Sequence, residues 1–143
     1  MGRLAFAVLL AVVASPAVAA EPIMGQWLNQ DREGKVLIAP CSGAPTLVCG
    51  SITWLKEPKA DDGRPVRDIH NPDPALRNRP VIGVTVIRDM KPDGPGRWTG
   101  GRLYDPETGG SYRGRLTALG GGKLKVEGCV LVLCQAQIWT RAD

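Results

Sequence analysis

Short runs of alternating apolar and polar residues, bounded by turn-forming residues, constrain the fold of this 143-residue chain more than any other feature. The clearest run covers residues 123–127, where Leu124 and Val126 would face a core and three charged residues would face solvent. The chain has 18 glycines and 12 prolines, and many of them lie between these runs, where they favour turns. The sequence therefore predicts an all-β protein of antiparallel strands.

The alternation predicts eight strands, mostly separated by short turns. They lie near residues 24–31, 35–41, 47–56, 80–89, 97–105, 110–119, 123–130 and 133–141. Because short links join strands that are neighbours in a sheet, we expect sequential antiparallel pairing. Eight strands in series favour a closed up-and-down barrel, which leaves no sheet edge free; a β-sandwich is the alternative.

The first twenty residues predict a secretory signal peptide. Arg3 supplies a positive charge, residues 4–13 are apolar, and residues 17–20 are small side chains suited to cleavage. The apolar run is far shorter than the ~20 residues of a membrane-spanning helix. We therefore expect residues 21–143 to form a single barrel domain, secreted or periplasmic. No cysteine follows the cleavage point directly, so we expect no lipid anchor in a membrane.

The positive charge of the chain is dispersed along the sequence. The formal net charge is +4, and no run contains five or more basic residues. A nucleic-acid groove or a polybasic membrane patch would need clustered charges. We therefore expect a solvated basic surface and no nucleic-acid partner.

The four cysteines form two pairs that are close in sequence, Cys41 with Cys49 and Cys129 with Cys134. Four cysteines allow three connectivities, which the sequence does not distinguish. We predict the two local disulfides, because each pair flanks an expected hairpin. A zinc site is the alternative, although it would favour shorter spacers and a reducing compartment.

One connection, Glu57 to Arg79, is much longer than the others and is rich in charge and proline. We expect a mobile lid across one barrel mouth that is not part of the core. Asp73 would cap a helical turn over residues 73–77. The oxygens of Asp68, Asn71 and Asp73 would make turn and cap hydrogen bonds. The alternative is a calcium site, to which Asp61 and Asp62 would also contribute oxygens.

Aromatic residues give the best indication of a ligand site. Strict alternation would place Trp98, Arg102 and Tyr104 on one face of a strand with Gly100 between them, and Tyr112 on the next strand nearby. We predict that these four side chains bind a small apolar or amphipathic ligand, with Arg102 contacting its charged group. The alternative is that the rings simply fill a narrow barrel.

The sequence offers little catalytic chemistry. His70 is the single histidine, and Ser42, Ser51 and Ser111 of the mature chain lie in no nucleophile-elbow context. No histidine or acidic spacing is typical of a catalytic metal. We therefore expect no enzyme activity, no metal and no cofactor.

Four apolar residues, Val130 to Leu133, lie between Cys129 and Cys134 and would form a hairpin tip. An apolar tip is unusual in a solvated turn. We expect it to cover the barrel end, with lining the barrel mouth or meeting a partner protein as alternatives.

Two short motifs resemble those of lipocalins. Gly25-Gln26-Trp27 is similar to the Gly-x-Trp of a lipocalin first strand, and Trp139-Thr140-Arg141 is similar to the terminal segment whose arginine covers that tryptophan. The resemblance implies that Trp27 and Arg141 meet where the barrel closes.

A wider resemblance covers most of the mature chain. Several segments are similar to the bacterial domain-of-unknown-function family 2147. They are residues 25–27, 68–73, 77–83, 98–106 with Gly109 and Tyr112, and 137–141. The resemblance implies a small secreted protein with a lipocalin-like barrel, and it supplies no catalytic residue.

Three functions follow from these features. The first is a non-catalytic binding protein of the bacterial envelope that holds a small ligand inside its barrel. The second is a protein-interaction or scaffold module with a filled barrel, which would bind an envelope protein through the long connection and the apolar hairpin. The third is an enzyme of unknown class.

Overall fold

The computed structural model describes residues 11–14 and 22–142, and it shows a closed barrel of eight antiparallel strands. The strands are β1 (Gly25–Leu28), β2 (Gly34–Cys41), β3 (Ala44–Leu55), β4 (Thr85–Pro92), β5 (Arg97–Asp105), β6 (Gly110–Gly120), β7 (Lys123–Val130) and β8 (Leu133–Arg141). Each strand pairs with the next, and β1 pairs with β8. The predicted up-and-down barrel is confirmed, and the sandwich is not needed.

The predicted signal peptide, residues 1–20, lies outside the described residues except for residues 11–14, which have no regular secondary structure. Within the described part of the chain, no helix is both long and apolar enough to cross a membrane.

Burial follows the alternation that predicted the strands. In β7, Leu124 and Val126 are buried and Lys123 is exposed. Successive side chains of a strand point to opposite faces, so every second residue enters the barrel. The turn between β6 and β7 contains Gly121 and Gly122 with φ of 61° and 72°, a conformation that glycine adopts without steric cost.

The interior is packed with aliphatic side chains. Ile38, Ile87, Met90, Leu116 and Leu124 are each at most 1% exposed. Burying a side chain of this size stabilises a fold by about 1.5–3 kcal/mol. These residues come from β2, β4, β6 and β7, so the core joins opposite walls of the barrel.

The barrel closes where the first and last strands meet. Trp27 of β1 is paired with Arg141 of β8, and the Arg141 guanidinium lies 4.3 Å from the centroid of the Trp27 ring. Trp27 is 1% exposed, and its indole N–H donates to the Ile23 carbonyl oxygen at 2.8 Å. Arg141 also donates to the carbonyl oxygens of Met24 and Pro22, at 2.8 and 2.5 Å. The arginine therefore ties the last strand to the segment that leads into the first.

Both predicted disulfides are confirmed. Cys41 is bonded to Cys49 and Cys129 to Cys134, with Cα–Cα distances of 4.9 and 4.1 Å. The sulfurs of Cys41 and Cys49 lie within 4.8 Å of an Asp89 carboxylate oxygen. Since both sulfurs belong to a disulfide, neither is a thiolate that could bind zinc.

The long connection differs from its prediction in its second half. Residues 57–65 are exposed, as expected of a solvated loop. Val66, however, packs against the core, and Asp68 is fully buried. The prediction that the whole segment lies outside the core is therefore wrong, because backbone hydrogen bonds hold Val66 and Asp68 against the barrel. The Val81 amide donates to the Val66 carbonyl at 2.9 Å, and the Asp68 amide donates to the Arg79 carbonyl at 3.0 Å.

The fourth strand begins at Thr85, later than predicted. The preceding residues form a turn that bonds to β3: the Gly83 amide donates to the Ile52 carbonyl at 2.8 Å, and the Ile52 amide donates to the Val84 carbonyl at 3.0 Å. Gly83 has φ of 101°, which interrupts an extended strand. Within the long connection, Asp73 caps a 3₁₀ turn over Pro74–Leu76 through the Ala75 amide at 3.0 Å, as predicted.

Candidate functional site

A β-bulge in β5 separates the residues of the predicted ligand site. Trp98 pairs with Leu116, whereas Gly101 pairs with Gly114, so β5 has one residue more than β6 in this interval. Gly100 has φ of 74° and provides the extra residue. After the bulge the alternation is reversed, and Arg102 is exposed on the outer face. The expectation that residues 98, 100, 102 and 104 share one face is therefore wrong.

The other two aromatic residues lie toward the end of the barrel that holds the long connection. Tyr112 pairs with Leu103, and its ring lies close to Gly110 and Gly128: a Cβ added at Gly128 would be 3.3 Å from the Tyr112 Cβ. Tyr104 is half-buried and extends to Asp68 of the long connection. Trp98 and Tyr104 pack against the core, whereas the Arg102 side chain is exposed.

Protein side chains fill the space that glycines leave inside the barrel. A Cβ added at Gly101 would lie 2.4 Å from the Met90 sulfur, and one added at Gly114 would lie 3.0 Å from it. Met90 itself is 0% exposed. The glycines of β5 and β6 therefore accommodate the Met90 side chain in the barrel interior.

Two concave regions are open depressions of the outer surface. One has a volume of about 470 Å³ and is lined by residues such as Leu37, Ser51 and Arg88. The other has a volume of about 420 Å³ and lies beside Trp54 and Arg141. Neither contains Trp98, Tyr104 or Tyr112 of the predicted ligand site.

A buried polar cluster joins the long connection to the barrel wall. The Tyr104 hydroxyl donates to Asp68 Oδ1 at 2.6 Å, and Asn71 Nδ2 donates to Asp68 Oδ2 at 2.9 Å. Arg79 forms a salt bridge with the same carboxylate, with Nη2 at 2.8 Å and Nε at 2.9 Å from Oδ2. Each Asp68 oxygen thus has a partner, as a buried charge requires.

This environment shifts two pKa values in opposite directions. Burial alone would raise the pKa of Asp68, but the hydrogen bonds from Tyr104 and Asn71 and the interaction with Arg79 outweigh it and hold the pKa below its usual value. Burial, together with the hydrogen bond and negative charge of Asp68, raises the pKa of Tyr104 to about 12. At neutral pH, the cluster therefore contains a carboxylate and a protonated phenol, which is the combination that its hydrogen bonds need.

Sequence reasoning missed this cluster because its members are distant in the chain. The sequence predicts a turn role for Asp68, whose partners Arg79 and Tyr104 lie 11 and 36 positions away. No local motif connects an aspartate to a tyrosine on a later strand. Only the packing of the long connection against β5 brings them together.

The His70 side chain is exposed. Among the residues that the structure describes, no carboxylate forms an ion pair or hydrogen bond with it. Its backbone closely approaches Gly109, where an added Cβ would lie 1.9 Å from the His70 carbonyl oxygen. The glycine therefore allows the long connection to pack against the β5–β6 turn.

The hairpin tip between β7 and β8 is strongly exposed. Val130, Leu131, Val132 and Leu133 are 54%, 83%, 93% and 76% exposed. The expectation that they cover the barrel end is wrong, because the hairpin extends them into solvent beyond the disulfide between Cys129 and Cys134. The chain therefore presents a compact aliphatic surface with no described side chain over it.

The fold is a small disulfide-bonded barrel of eight antiparallel strands, closed between its first and last strands. This architecture defines the class of the protein as lipocalin-like. A solved structure agrees. The chain is similar to protein HP1028 from Helicobacter pylori, which is described as belonging to the lipocalin family; the TM-score is 0.71 at 21% identity, covering 87% of this chain and 85% of that chain. At this identity the similarity establishes the fold alone.

The family model described as "Uncharacterized protein conserved in bacteria (DUF2147)" matches residues 25–141. This range extends from β1 through β8, so the chain belongs to this family. A search of curated proteins finds no match.

Proposed function

We propose that this protein is a non-catalytic binding protein of the bacterial envelope that recognises its partner with the outside of its barrel. The observation that carries this proposal is the contrast between the two surfaces. The interior space beside Gly101 and Gly114 is occupied by Met90, while four aliphatic residues at the β7–β8 tip are exposed. Exposed apolar clusters of this kind mark interaction sites.

The envelope location is supported by the two disulfides, which persist in oxidising compartments. The signal peptide predicted at residues 1–20 and the bacterial family agree with it. We propose that residues 21–143 are the mature domain and that this domain works outside the cytoplasm.

The alternative is a small apolar or amphipathic ligand held inside the barrel by Trp98, Arg102, Tyr104 and Tyr112. Its support is the lipocalin-like fold, since pockets in barrel mouths commonly hold small ligands. The position of Arg102 argues against it, because an exposed guanidinium on the outer face would not contact the charged group of an interior ligand. Binding would also require Met90 to move from its place in the core.

A fatty-acid titration followed by tryptophan fluorescence tests the interior site. We expect wild type to show no saturable change, and Arg102→Ala to behave identically. Met90→Ala opens space beside Gly101 and Gly114, so it tests whether the Met90 side chain is what excludes a ligand from the interior. A saturable one-to-one change in wild type would instead establish the interior ligand site.

Binding to isolated envelope fragments tests the outer surface. Wild type should co-sediment with the fragments, and Val132→Ser should lose most of this binding because it removes the most exposed apolar side chain of the tip. Leu119→Ser is the matched control, since Leu119 is 49% exposed on β6, outside the tip. Equal co-sedimentation of both variants would contradict the proposed role of the tip.

A further inference from the structure

Three exposed arginines lie side by side on the outer face of the barrel. Arg88 of β4 is the cross-strand partner of Arg102 of β5, and Arg102 is the partner of Arg113 of β6. Adjacent strands lie about 4.8 Å apart, so the row spans roughly 10 Å. Like charges directly opposite one another destabilise a sheet. The row therefore weakens the isolated barrel and is suited to a partner that carries negative charge.

The carboxylates near the row leave most of its charge uncompensated. Within the described residues, Arg88 and Arg102 form no side-chain hydrogen bond or salt bridge. Glu127 already pairs with Arg115 and Lys125, each at 3.4 Å. Asp89 follows Arg88 in the chain but forms no ion pair with a described side chain. All three arginines of the row therefore carry positive charge that no described carboxylate pairs with.

The arginine row leads directly to the apolar tip. Arg113 is the cross-strand partner of Cys129, which is both paired and disulfide-bonded with Cys134. The Arg113 guanidinium also donates a hydrogen bond to the Leu131 carbonyl oxygen. A strand rises about 3.3 Å per residue, so Leu131 lies roughly 7 Å beyond the level of Arg113. One continuous surface thus has an aliphatic end and a cationic side.

The composition of the tip favours lipid over protein as its partner. Val130 to Leu133 contain no aromatic residue, whereas the energetic centres of protein interfaces are enriched in tryptophan, tyrosine and arginine and poor in leucine and valine. The tip is also convex, formed by a hairpin end and stapled by a disulfide. A short convex aliphatic loop can enter the acyl boundary of a bilayer without needing a matching cavity.

We propose that the β7–β8 tip and the arginine row form a docking surface for an anionic lipid bilayer. The tip inserts into the boundary between headgroups and acyl chains, which interfacial elements enter by about 5–10 Å. The arginines of the row, Arg113, Arg102 and Arg88, then reach the lipid phosphates, which guanidinium groups bind in a bidentate manner. This inference rests on the proposed outer-surface function and names its partner.

Flotation with pure lipid vesicles tests the proposal without any other protein present. Wild type should float with vesicles that contain phosphatidylglycerol, should float much less with pure phosphatidylcholine, and should dissociate as ionic strength rises, since exposed charges are screened by salt. Val132→Glu should weaken binding at least roughly tenfold by placing a charge at the inserted tip. Arg88→Glu with Arg102→Glu should weaken it at least roughly thirtyfold by reversing two surface charges.

Matched variants separate this surface from general effects of charge and polarity. Leu119→Glu makes the same kind of change outside the tip. Lys59→Glu with Lys123→Glu makes the same change in net charge elsewhere. Both controls should retain wild-type binding within roughly twofold, and near-ultraviolet circular dichroism should show an intact barrel in every variant.

The outcomes distinguish the inference from the function on which it rests. Absence of vesicle binding in wild type would overturn the lipid partner, and so would binding that Val132→Glu leaves unchanged. If envelope fragments still bind through Val132 in that case, the partner is an envelope component other than a phospholipid bilayer, and the outer-surface function stands. A saturable interior ligand in wild type would overturn the proposed function itself.

Discussion

At the scale of single residues, Asp68 shows how this barrel retains a buried charge. Its carboxylate is 0% exposed, and it accepts hydrogen bonds from Tyr104, Asn71 and Arg79. A buried charge deprived of its partners is strongly destabilising, so the partners are needed together. Asp68 therefore anchors the long connection to β5 through polar contacts.

Replacing Asp68 by asparagine should destabilise the protein by about 2–3 kcal/mol at pH 7, because Arg79 loses its counter-charge. The folded-state pKa of Asp68 is lowered, so its contribution is present above the unfolded value of about 3.9 and is lost as pH falls through the folded value. The difference between wild type and Asp68→Asn should therefore shrink below about pH 4 in urea unfolding measured at several pH values.

The control is Asp62→Asn, which removes an exposed pairing with Arg64 at 3.5 Å. Exposed ion pairs are screened by solvent, so this variant should unfold like wild type at both neutral and acid pH. A difference between wild type and Asp68→Asn that stays constant down to pH 2 would contradict a stabilising charge on Asp68.

At the scale of elements, β5 shows which features of a strand a sequence pattern predicts and which it does not. Its bounds were predicted correctly, because alternation and flanking turns are local properties. The face of the sheet to which each side chain points was not predicted correctly, because the bulge at Gly100 depends on how β5 pairs with β6. A positive φ at one glycine reverses every later residue of the strand, and a single sequence does not show which glycine will do so.

The long connection should show two levels of protection from hydrogen exchange. Residues 59–64 are exposed and should exchange quickly. The Val66, Asp68 and Val81 amides donate backbone hydrogen bonds beside the core and should exchange slowly. Exchange measured by mass spectrometry on short peptides resolves the two halves. Uniformly fast exchange from residue 58 to residue 81 would instead support the mobile lid that the sequence predicts.

At the scale of the whole molecule, the sequence predicted the barrel but not the cluster of charges on its surface. Eight alternating segments and short turns determine sequential pairing, and closure follows from the need to satisfy both sheet edges. The arginine row is a different kind of feature. Arg88, Arg102 and Arg113 are far apart in the chain and looked dispersed, and only the register of three strands aligns them. Surface charge clusters in a barrel therefore depend on register, which one sequence specifies weakly.

Closure of the barrel gives a prediction for the stability of the whole fold. Trp27 lies where β1 meets β8 and is 1% exposed, so Trp27→Ala removes a large buried ring and should cost about 3–5 kcal/mol. Trp27→Phe keeps most of the ring but loses the hydrogen bond to Ile23, so its loss should be smaller. Urea unfolding followed by circular dichroism measures both.

Trp54→Ala is the matched control, because Trp54 is 39% exposed and contacts Lys35 on the barrel surface, with the ammonium 5.2 Å from the ring centroid. A partly solvated ring contributes less to the stability of the folded state than a buried ring does. Trp54→Ala should therefore lower the free energy of unfolding much less than Trp27→Ala does. If the two alanine variants unfolded at the same urea concentration, the seam between β1 and β8 would not be a major source of stability. If only Trp27→Ala unfolds early, the first and last strands hold the barrel closed, and the barrel is a rigid support for the external tip and the arginine row.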